Sequence, residues 1–496
     1  MTIRGGLFLL FGGCAALSAC AVPPLATVPP QERAAISGRL MHDISVLSSE
    51  EFGGRKPGTD GEARTVDFII REMQAANLVS GTNDPGSAWR APVELVASTP
   101  QAGTITMKDG RRIVNPGAEV GAVLTSGRRM LLEGGDMIFI GREAESIVAE
   151  DIAGKVAVIL GERGESPLRR AILFELEPAA IVTVVQGPDE IEAVNRIYGR
   201  ERVVLASEET NRLSAFVTRE VMEQLVGADR WAALLGAAED ENFVPIQLGA
   251  TASFDAVSTH RNFNSSNVIG MLPGNVRGSG AVLLMAHWDH LGECAPDTPD
   301  PICNGAVDNA SGVAVMLELG RRLAATGPFD RDIYLMATTA EEAGLLGAKA
   351  FAQAPPLPLE DIVAAFNFDT VAVAPVGTPL GFLGEGRTPL DDLILTTAAE
   401  AGRELGDKSF AESFVRRQDG WALLEAGVPA VLLSSTFASE IVTGPYLAED
   451  YHQPTDEQRK IQLGGAIDDL LLHEELVRRF ASTVSYSQVP MPAGAQ

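Results

Sequence analysis

Short apolar runs alternate with amphipathic helical patterns through the C-terminal half of this 496-residue chain. The runs have the length of strands and are bounded by turn residues, as expected for strands buried on both faces of a sheet. They lie at 281–286, 333–337, 362–366 and 430–433. Apolar side chains at helical spacing separate them, for example over 313–323. The alternation predicts an α/β fold with a mixed, mostly parallel sheet flanked by helices.

Residues 95–250 have a different texture. The segment contains short β-rich runs such as 156–160, and helical patterns at 189–197 and 218–227. The segment contains no histidine, so we predict that it carries no metal or acid–base chemistry of its own. We interpret it as an inserted β-rich domain. It divides the α/β domain into a first part at 33–94 and a second part at 251–485.

The charge balance excludes one class of partner. The chain has 39 Lys and Arg against 66 Asp and Glu, a formal net charge of −27, and no basic run. Nucleic-acid binding needs clustered cationic side chains on a basic surface. Nucleic acid is therefore not an expected partner.

The N-terminus predicts export. Residues 1–19 combine Arg4 with an apolar stretch at 7–19, which is too short to span a bilayer. The following Leu-Ser-Ala-Cys20 resembles a bacterial lipobox, in which the lipid is attached to the cysteine. An ordinary signal peptide is the alternative. We expect a lipoprotein of the outer membrane that faces the periplasm, with a proline-rich tether at 20–32. At the other end of the chain, we expect a loose tail at 486–496.

Two cysteines remain after the signal segment and Cys20 are set aside. Cys294 and Cys303 are nine residues apart, around a proline-rich loop. In an oxidising compartment this spacing predicts a disulfide that closes the loop. A zinc–thiolate site would need two more soft ligands nearby.

Polar side chains follow the ends of the predicted strands. His287 ends the first run, Glu341 and Glu342 follow the second, and Asp369 follows the third. The carboxyl ends of strands in open α/β sheets form ligand sites. Asp308 before a helix and His452 in a polar loop complete a set of two imidazoles and several carboxylates. This set suits zinc, and it has enough ligands for two ions that share a hydroxide and polarise a carbonyl.

These residues occur in the order of a known motif series. The series is His287-x-Asp289, Asp308-Asn309, Glu341-Glu342, Asp369 and His452, preceded by Glu51-Phe52-x-Gly54-Arg55-x-x-Gly58 and Asn267-Val268-Ile269-Gly270. It resembles the di-zinc exopeptidases that include bacterial leucyl aminopeptidases and glutamate carboxypeptidase. The segment 95–250 resembles the protease-associated insert of many members. The resemblance covers nearly all of the mature chain.

The resemblance implies a role for each metal-site residue. His287 and Asp369 would bind one zinc ion, Glu342 and His452 the other, and Asp308 would bridge the two.

The resemblance also implies the catalytic groups. Glu341 would be the general base, Asp289 would orient His287, and the Tyr451 hydroxyl would stabilise the oxyanion. The chain departs from its relatives where they commonly have Ser-Asp-His, since Gln418-Asp419-Gly420 stands here.

The predicted function is hydrolysis of the N-terminal peptide bond of peptides. A carboxypeptidase is the first alternative, because Arg387, Arg416 or Arg417 could bind a terminal carboxylate. A non-catalytic binding ectodomain on the same fold is the second.

Three further residues are expected to have supporting roles. Arg55 and Asp456 are expected to make structural ion pairs. His290 is assigned equally to packing and to support of the ligands. No oligomeric state is predicted.

Overall fold

The computed structural model describes residues 28–83, 86, 88–142, 147–161, 167–240, 242–489 and 491. The predicted signal segment and Cys20 lie outside this part of the chain. Among the described residues, none of the helices is both long enough and apolar enough to cross a membrane.

Most strands before residue 245 are short. They are β1 (Val79–Ser80), β2 (Arg90–Pro100), β3 (Thr104–Asp109), β4 (Arg112–Val114), β5 (Gly121–Thr125), β6 (Arg129–Phe139), β7 (Val156–Leu160), β8 (Ala180–Val185), β9 (Arg202–Leu205) and β10 (Leu213–Thr218). The later strands are β11 (Ile246–Leu272), β12 (Ala281–His287), β13 (Gly292–Glu293), β14 (Ile302–Cys303), β15 (Asp332–Thr338), β16 (Ile362–Asn367), β17 (Gly381–Leu383) and β18 (Ala430–Ser434).

The helices of the N-terminal half are α1 (Pro30–Leu47), α2 (Asp60–Ala75), α3 (Ala149–Ile152), α4 (Pro167–Phe174), α5 (Pro188–Tyr198), α6 (Arg219–Val226) and α7 (Ala228–Ala237). Those of the C-terminal half are α8 (Ser311–Thr326), α9 (Leu346–Gln353), α10 (Asp391–Glu400), α11 (Lys408–Glu412), α12 (Gly420–Glu425), α13 (Glu440–Glu449) and α14 (Leu463–Phe480).

The C-terminal part of β11 begins the larger sheet, whose order is β11, β15, β12, β16, β18 and β17. Its four central strands run parallel, and β11 and β17 are antiparallel to their neighbours. Residues of the central strands are almost all buried, since helices cover both faces. The predicted mixed, mostly parallel sheet and its four strands are thus confirmed.

The strands between residues 104 and 257, except β9, form a second sheet with its own core, whereas β9 pairs with β2 on the larger sheet. The N-terminal part of β11 pairs with β3 and β6, and β6, β7, β8 and β10 follow as parallel neighbours. Apolar side chains from these strands and from α6 and α7 make a cluster around Phe139, Trp231 and Phe254. The 27-residue strand β11 belongs to both sheets, so it joins the two cores. The likeness of this segment to a protease-associated domain stays a prediction.

Two helices of the larger core show why the apolar spacing predicts helices. Ile36, Leu40, Ile44 and Leu47 lie on one face of α1 and are fully buried. That face packs on α8, whose first eight residues are all buried. At the far end of the chain, Tyr486 is buried against Phe480, so this first residue of the predicted loose tail is packed.

Candidate metal centre

The parallel strands β15, β12 and β16 are neighbours, and their carboxyl ends meet at one edge of the sheet. His287 is the last residue of β12. Glu341 and Glu342 lie in the turn after β15, and Asp369 lies two residues beyond β16. The topology therefore brings these four predicted residues to one place, as the strand ends indicate.

Asp308 reaches the same edge from a loop that Arg55 holds. The Arg55 side chain is buried and donates to the backbone carbonyl oxygens of Leu47, Trp288, Asn304 and Gly305 at 2.5–2.9 Å. Burial lowers the pKa of Arg55 to about 10, although the nearby carboxylates work to raise it. The predicted ion pair of Arg55 is wrong, because among the described residues the guanidinium meets carbonyl oxygens instead.

Asp456 holds the loop from the other side. Its carboxylate accepts from the backbone N–H groups of Val307 and Asp308 at 2.9 and 3.0 Å, and from the Tyr446 hydroxyl at 3.0 Å. The expected ion pair is again replaced, here by neutral donors. Both corrections have one cause: the tight Asp308 loop exposes backbone groups that need partners inside the protein.

The five predicted ligands converge on Asp308. One of its oxygens lies 3.3 Å from His287 Nε2, which is also 3.4 Å from Asp369 Oδ1. The other oxygen lies 3.3 Å from His452 Nε2, which is 2.9 Å from Glu342 Oε2. The two oxygens of Asp308 thus face two separate imidazole–carboxylate pairs. This is the placement that a bridging ligand requires.

His290 is a residue of the site that the sequence left undecided. Its Nδ1 lies 2.6 Å from Glu342 Oε1 and 3.9 Å from Asp308 Oδ2, so it belongs to a possible ligand group with these two carboxylates. The second possible group is His287, Asp308 and Asp369. The signal for His290 was its spacing of three residues from His287 in His-Trp-Asp-His.

The site concentrates negative charge in the interior. Six carboxyl groups lie there: Asp289, Asp308, Asp369 and Asp419 are buried, and Glu341 and Glu342 are partly buried. Burial works to lower the pKa of His452, but hydrogen bonds with Asp308 and Glu342 raise it to about 10. The pKa of His287 is likewise raised against the effect of burial, by Glu341 and Asp369. The carboxylates therefore attract cations strongly.

This donor set fits divalent metal ions. Buried carboxylates are stable only when they are paired with cations, and imidazole nitrogens with carboxylate oxygens are ligands that zinc accepts. Arg55 supplies no such pairing, since it bonds to backbone oxygens. Both possible ligand groups include Asp308. Within each group, the ligand atoms lie within 4.8 Å of one another. The residues present could hold two ions.

Asp289 positions the turn that carries the two glutamates. Its carboxylate accepts from the backbone N–H of Glu341 at 3.1 Å and of Glu342 at 3.4 Å. His287 Nδ1 lies 3.1 Å from the backbone oxygen of Asp289 and 3.8 Å from its carboxylate. Asp289 therefore orients His287 mainly through its backbone. Burial raises the pKa of the Asp289 carboxyl to about 7.

Glu341 has the environment of a proton acceptor. Burial, with the negative charges of Asp369, Asp419 and Glu342, raises its pKa well above the usual value, although His287 works against this. Asp419 accepts a hydrogen bond from the Thr338 hydroxyl. Burial raises the pKa of Asp419 to about 6.

Tyr451 lies beside the centre. Its ring stacks on His452 at 3.8 Å, and Arg417 donates to its hydroxyl at 3.3 Å. Burial raises its pKa, so the hydroxyl stays protonated at neutral pH. A small cavity lies here, and Tyr451, Arg417, Glu341 and Asp369 are among its lining residues.

The cysteine loop forms part of the rim. Cys294 and Cys303 are bonded, which confirms the predicted disulfide. The loop packs against the Gly54 turn, and Leu291 beside it lines a second, larger cavity at the centre.

Comparisons with known proteins find a family match in the part of the chain that carries this site. Residues 267–470 match the model of Peptidase family M28. The chain contains a peptidase family M28 domain. The matched range includes all five predicted ligands of the M28 domain, together with Glu341 and Tyr451.

Three of the similar proteins are described as aminopeptidases. Aminopeptidase YwaD of Bacillus subtilis (strain 168) is 36% identical over 114 residues, which are 23% of this chain and 22% of YwaD. The aminopeptidase from Aneurinibacillus sp. strain AM-1 has a similar structure, with a TM-score of 0.56 at 17% identity over 92% of this chain and 96% of that one. BSAP, a zinc aminopeptidase from Bacillus subtilis, gives a TM-score of 0.46 at 18% identity over 93% and 98% of the two chains. The likeness at a TM-score of 0.56 shows a shared fold.

Proposed function

We propose that this protein is a zinc-dependent exopeptidase that removes the N-terminal residue of peptides, with two zinc ions in its M28 domain. The observation that carries the proposal is Asp308, whose two oxygens face separate imidazole–carboxylate pairs. His287 and Asp369 would hold one ion, and Glu342 and His452 the other. When bound, the ions would polarise the scissile carbonyl and lower the pKa of a water molecule.

Glu341 is the proposed general base. It is partly buried, lines the small cavity and carries a raised pKa, which suits a group that accepts a proton and then returns it. It would take the proton from the attacking water and deliver it to the amine of the departing peptide. Tyr451 would donate its hydroxyl hydrogen bond to the oxyanion, since the raised pKa keeps that hydroxyl protonated.

The carboxypeptidase alternative depends on Arg417. Arg387 is paired with Glu412, and Arg416 lies over the Trp421 ring at 4.8 Å. Arg417 lines the small cavity, where it could meet a terminal carboxylate. Aminopeptidases and carboxypeptidases share this family, so substrates must distinguish the two.

Replacement of the proposed base tests the function. We expect Glu341→Gln to keep two bound zinc ions but to lower kcat on amino-acid anilides about a thousandfold. Metal content by elemental analysis and chelator-sensitive hydrolysis are the measurements. Glu425→Gln, on the helix after Asp419, serves as the matched control.

Four outcomes have different meanings. Cleavage of free-amine substrates alone supports the aminopeptidase, and cleavage of amino-blocked dipeptides alone supports the carboxypeptidase. A near-normal rate in Glu341→Gln would remove Glu341 as the base. Absence of both metal and turnover would make a non-catalytic binding ectodomain the better account.

We also propose that the protein is lipid-anchored at Cys20 to the outer membrane and faces the periplasm. The Leu-Ser-Ala-Cys20 sequence supports this, and the Cys294–Cys303 disulfide is in keeping with an oxidising compartment. Expression in a bacterial host with labelled fatty acid should label the wild type. Cys20→Ser should abolish the label, whereas Cys14→Ser should retain it. Label retained in Cys20→Ser would contradict the anchor.

A further inference from the structure

A cavity of 520 Å³ lies between the candidate metal centre and the inserted segment. We call it the insert cavity and define it by Lys56, Glu201, Arg202, Arg261, Phe263 and Leu291. Asp289, His290 and Glu342 form its inner end. The insert contributes Glu201 and Arg202 at the start of β9, so it shapes a space that opens onto the site.

The two cavities reach different residues of the candidate metal centre. The insert cavity reaches His290 and Glu342, whereas the small cavity of 40 Å³ reaches His287 and Asp369. Phe414, Phe437 and Leu447 give the small cavity apolar walls. An exopeptidase that removes one residue needs a confined space for that residue and an open space for the remaining chain. The difference in volume therefore places the departing peptide in the insert cavity.

The outer part of the insert cavity, away from Asp289 and Glu342, carries excess positive charge. Lys56 Nζ lies 3.2 Å and Arg261 Nη2 lies 3.5 Å from the two oxygens of Glu201, so two cations share one carboxylate. Arg202 adds a third cation to the wall. The acids at the inner end have other partners, since Asp289 bonds to backbone N–H groups and Glu342 to His290.

Both principal cations can be reached by a ligand. The side chains of Lys56 and Arg261 are 42% and 48% exposed. The Arg261 guanidinium is held over the Phe263 ring at 4.3 Å, which restricts its orientation. Gly58 lies directly under this pair, because a Cβ at Gly58 would be 2.6 Å from the Phe263 ring. A planar, held guanidinium is well suited to a carboxylate.

We propose that the insert cavity binds a carboxylate of the departing peptide through Arg261 and Lys56, and so selects substrates with a negative charge just after the scissile bond. The carboxylate can be an acidic side chain or the terminal carboxylate of a dipeptide. This inference rests on the proposed exopeptidase function. It also gives the insert a part in substrate selection.

Three substrates separate the sources of the carboxylate. Leucyl-glutamine amide has no carboxylate, leucyl-glutamate amide has one on the side chain, and leucyl-glutamine has one at its terminus. We expect kcat/KM of the wild type to be about tenfold higher for at least one charged substrate than for the neutral one, mainly through KM. The preferred charged substrate identifies the source.

The cavity variants should remove this preference. Arg261→Gln and Lys56→Gln should lower kcat/KM for the charged substrates to that of the neutral one, mainly through KM. Arg261→Lys should retain part of the preference, and Arg261→Glu should favour leucyl-lysine amide. Arg277→Gln removes an exposed cation outside the cavity and serves as the matched control.

Binding without turnover gives a second measurement. In a Glu341→Gln background, calorimetric titration should show a Kd for leucyl-glutamate amide or leucyl-glutamine that weakens about tenfold on Arg261→Gln. Equal kcat/KM for all three substrates, or an equal loss in Arg277→Gln, would overturn the proposal. Absence of all cleavage would contradict the exopeptidase, whereas binding that depends on Arg261 would still support the cavity.

Discussion

At the candidate centre, two imidazoles contact the same carboxylate. His290 Nδ1 and His452 Nε2 contact different oxygens of Glu342 at 2.6 and 2.9 Å, and their rings meet edge to face at 5.8 Å. His290 is fully buried on the strand-end loop after β12, whereas the His452 side chain is 34% exposed. We interpret His452 as the ligand and His290 as the group that orients Glu342, which is the usual relation of a ligand to its supporting partner.

Metal content distinguishes the two roles. We expect His452→Ala to bind one zinc ion fewer per chain at saturation. His290→Ala should still bind both, with an affinity at the Glu342 side weakened by about 10- to 100-fold. Elemental analysis and competition with a chelator are the measurements, and His42→Ala, at an exposed position on α1, is the control. The reverse pattern, with an ion lost only in His290→Ala, would make His290 the ligand.

At the scale of elements, loops determine the shape of the site more than strands do. A 3₁₀ segment, Glu50–Arg55, supplies both Arg55 and a tight turn with Gly53 and Gly54 at φ values of 55° and 64°. A Cβ at Gly54 would lie 2.5 Å from the Cys303 carbonyl oxygen and 2.8 Å from the Gly292 Cα. The turn therefore lies directly against both ends of the disulfide loop.

Alanine substitutions at Gly53 and Gly54 distinguish the cost of backbone strain from the cost of a steric clash. Gly53→Ala should cost about 1 kcal/mol of unfolding free energy, because φ is positive but nothing lies within 4 Å of the new Cβ. Gly54→Ala should cost at least about 2 kcal/mol more, since backbone atoms must shift. Urea unfolding of the two variants measures the difference. Equal losses would show that the disulfide loop moves aside freely.

At the scale of the whole molecule, the peptidase core places a titratable group far from solvent. His473 on α14 is fully buried between the rings of Phe366 and Phe368, and its Nδ1 donates to the Asp469 carbonyl oxygen at 2.7 Å. Burial lowers its pKa from 6.5 to about 4, although this hydrogen bond works to raise it. Between pH 4 and pH 6.5, His473 is therefore neutral in the folded chain and protonated in the unfolded chain.

This difference predicts a pH dependence of stability. Between pH 6.5 and pH 4 the unfolded state binds the extra proton, so the contribution of His473 is present above pH 6.5 and is lost as pH falls. The full loss is about 3 kcal/mol. His473→Gln should flatten the dependence of unfolding free energy on pH over this window, measured with chelator present. His42→Gln, at an exposed position, should keep the wild-type slope, and an unchanged slope in His473→Gln would refute the assignment.

The sequence could predict those parts of the fold that depend on local patterns. Continuous apolar runs predicted β12, β15, β16 and β18, because a strand buried on both faces needs apolar side chains throughout. Arg55 and Asp456 were predicted less well. Their partners include backbone groups of the Asp308 loop, and a residue pattern gives no information about which carbonyl or N–H groups a distant loop exposes.

By itself the sequence determined the α/β fold, the resemblance to the di-zinc exopeptidases and the residues that gather at the strand ends, since each depends on residue type and spacing along the chain. Only the tertiary structure decided that His290 joins Glu342 and that the insert forms one wall of a cationic cavity beside the centre. It also decided that Arg55 bonds to the Asp308 loop. These are contacts between residues about 50 to 250 positions apart, and the packing of the two sheets through β11 brings them together.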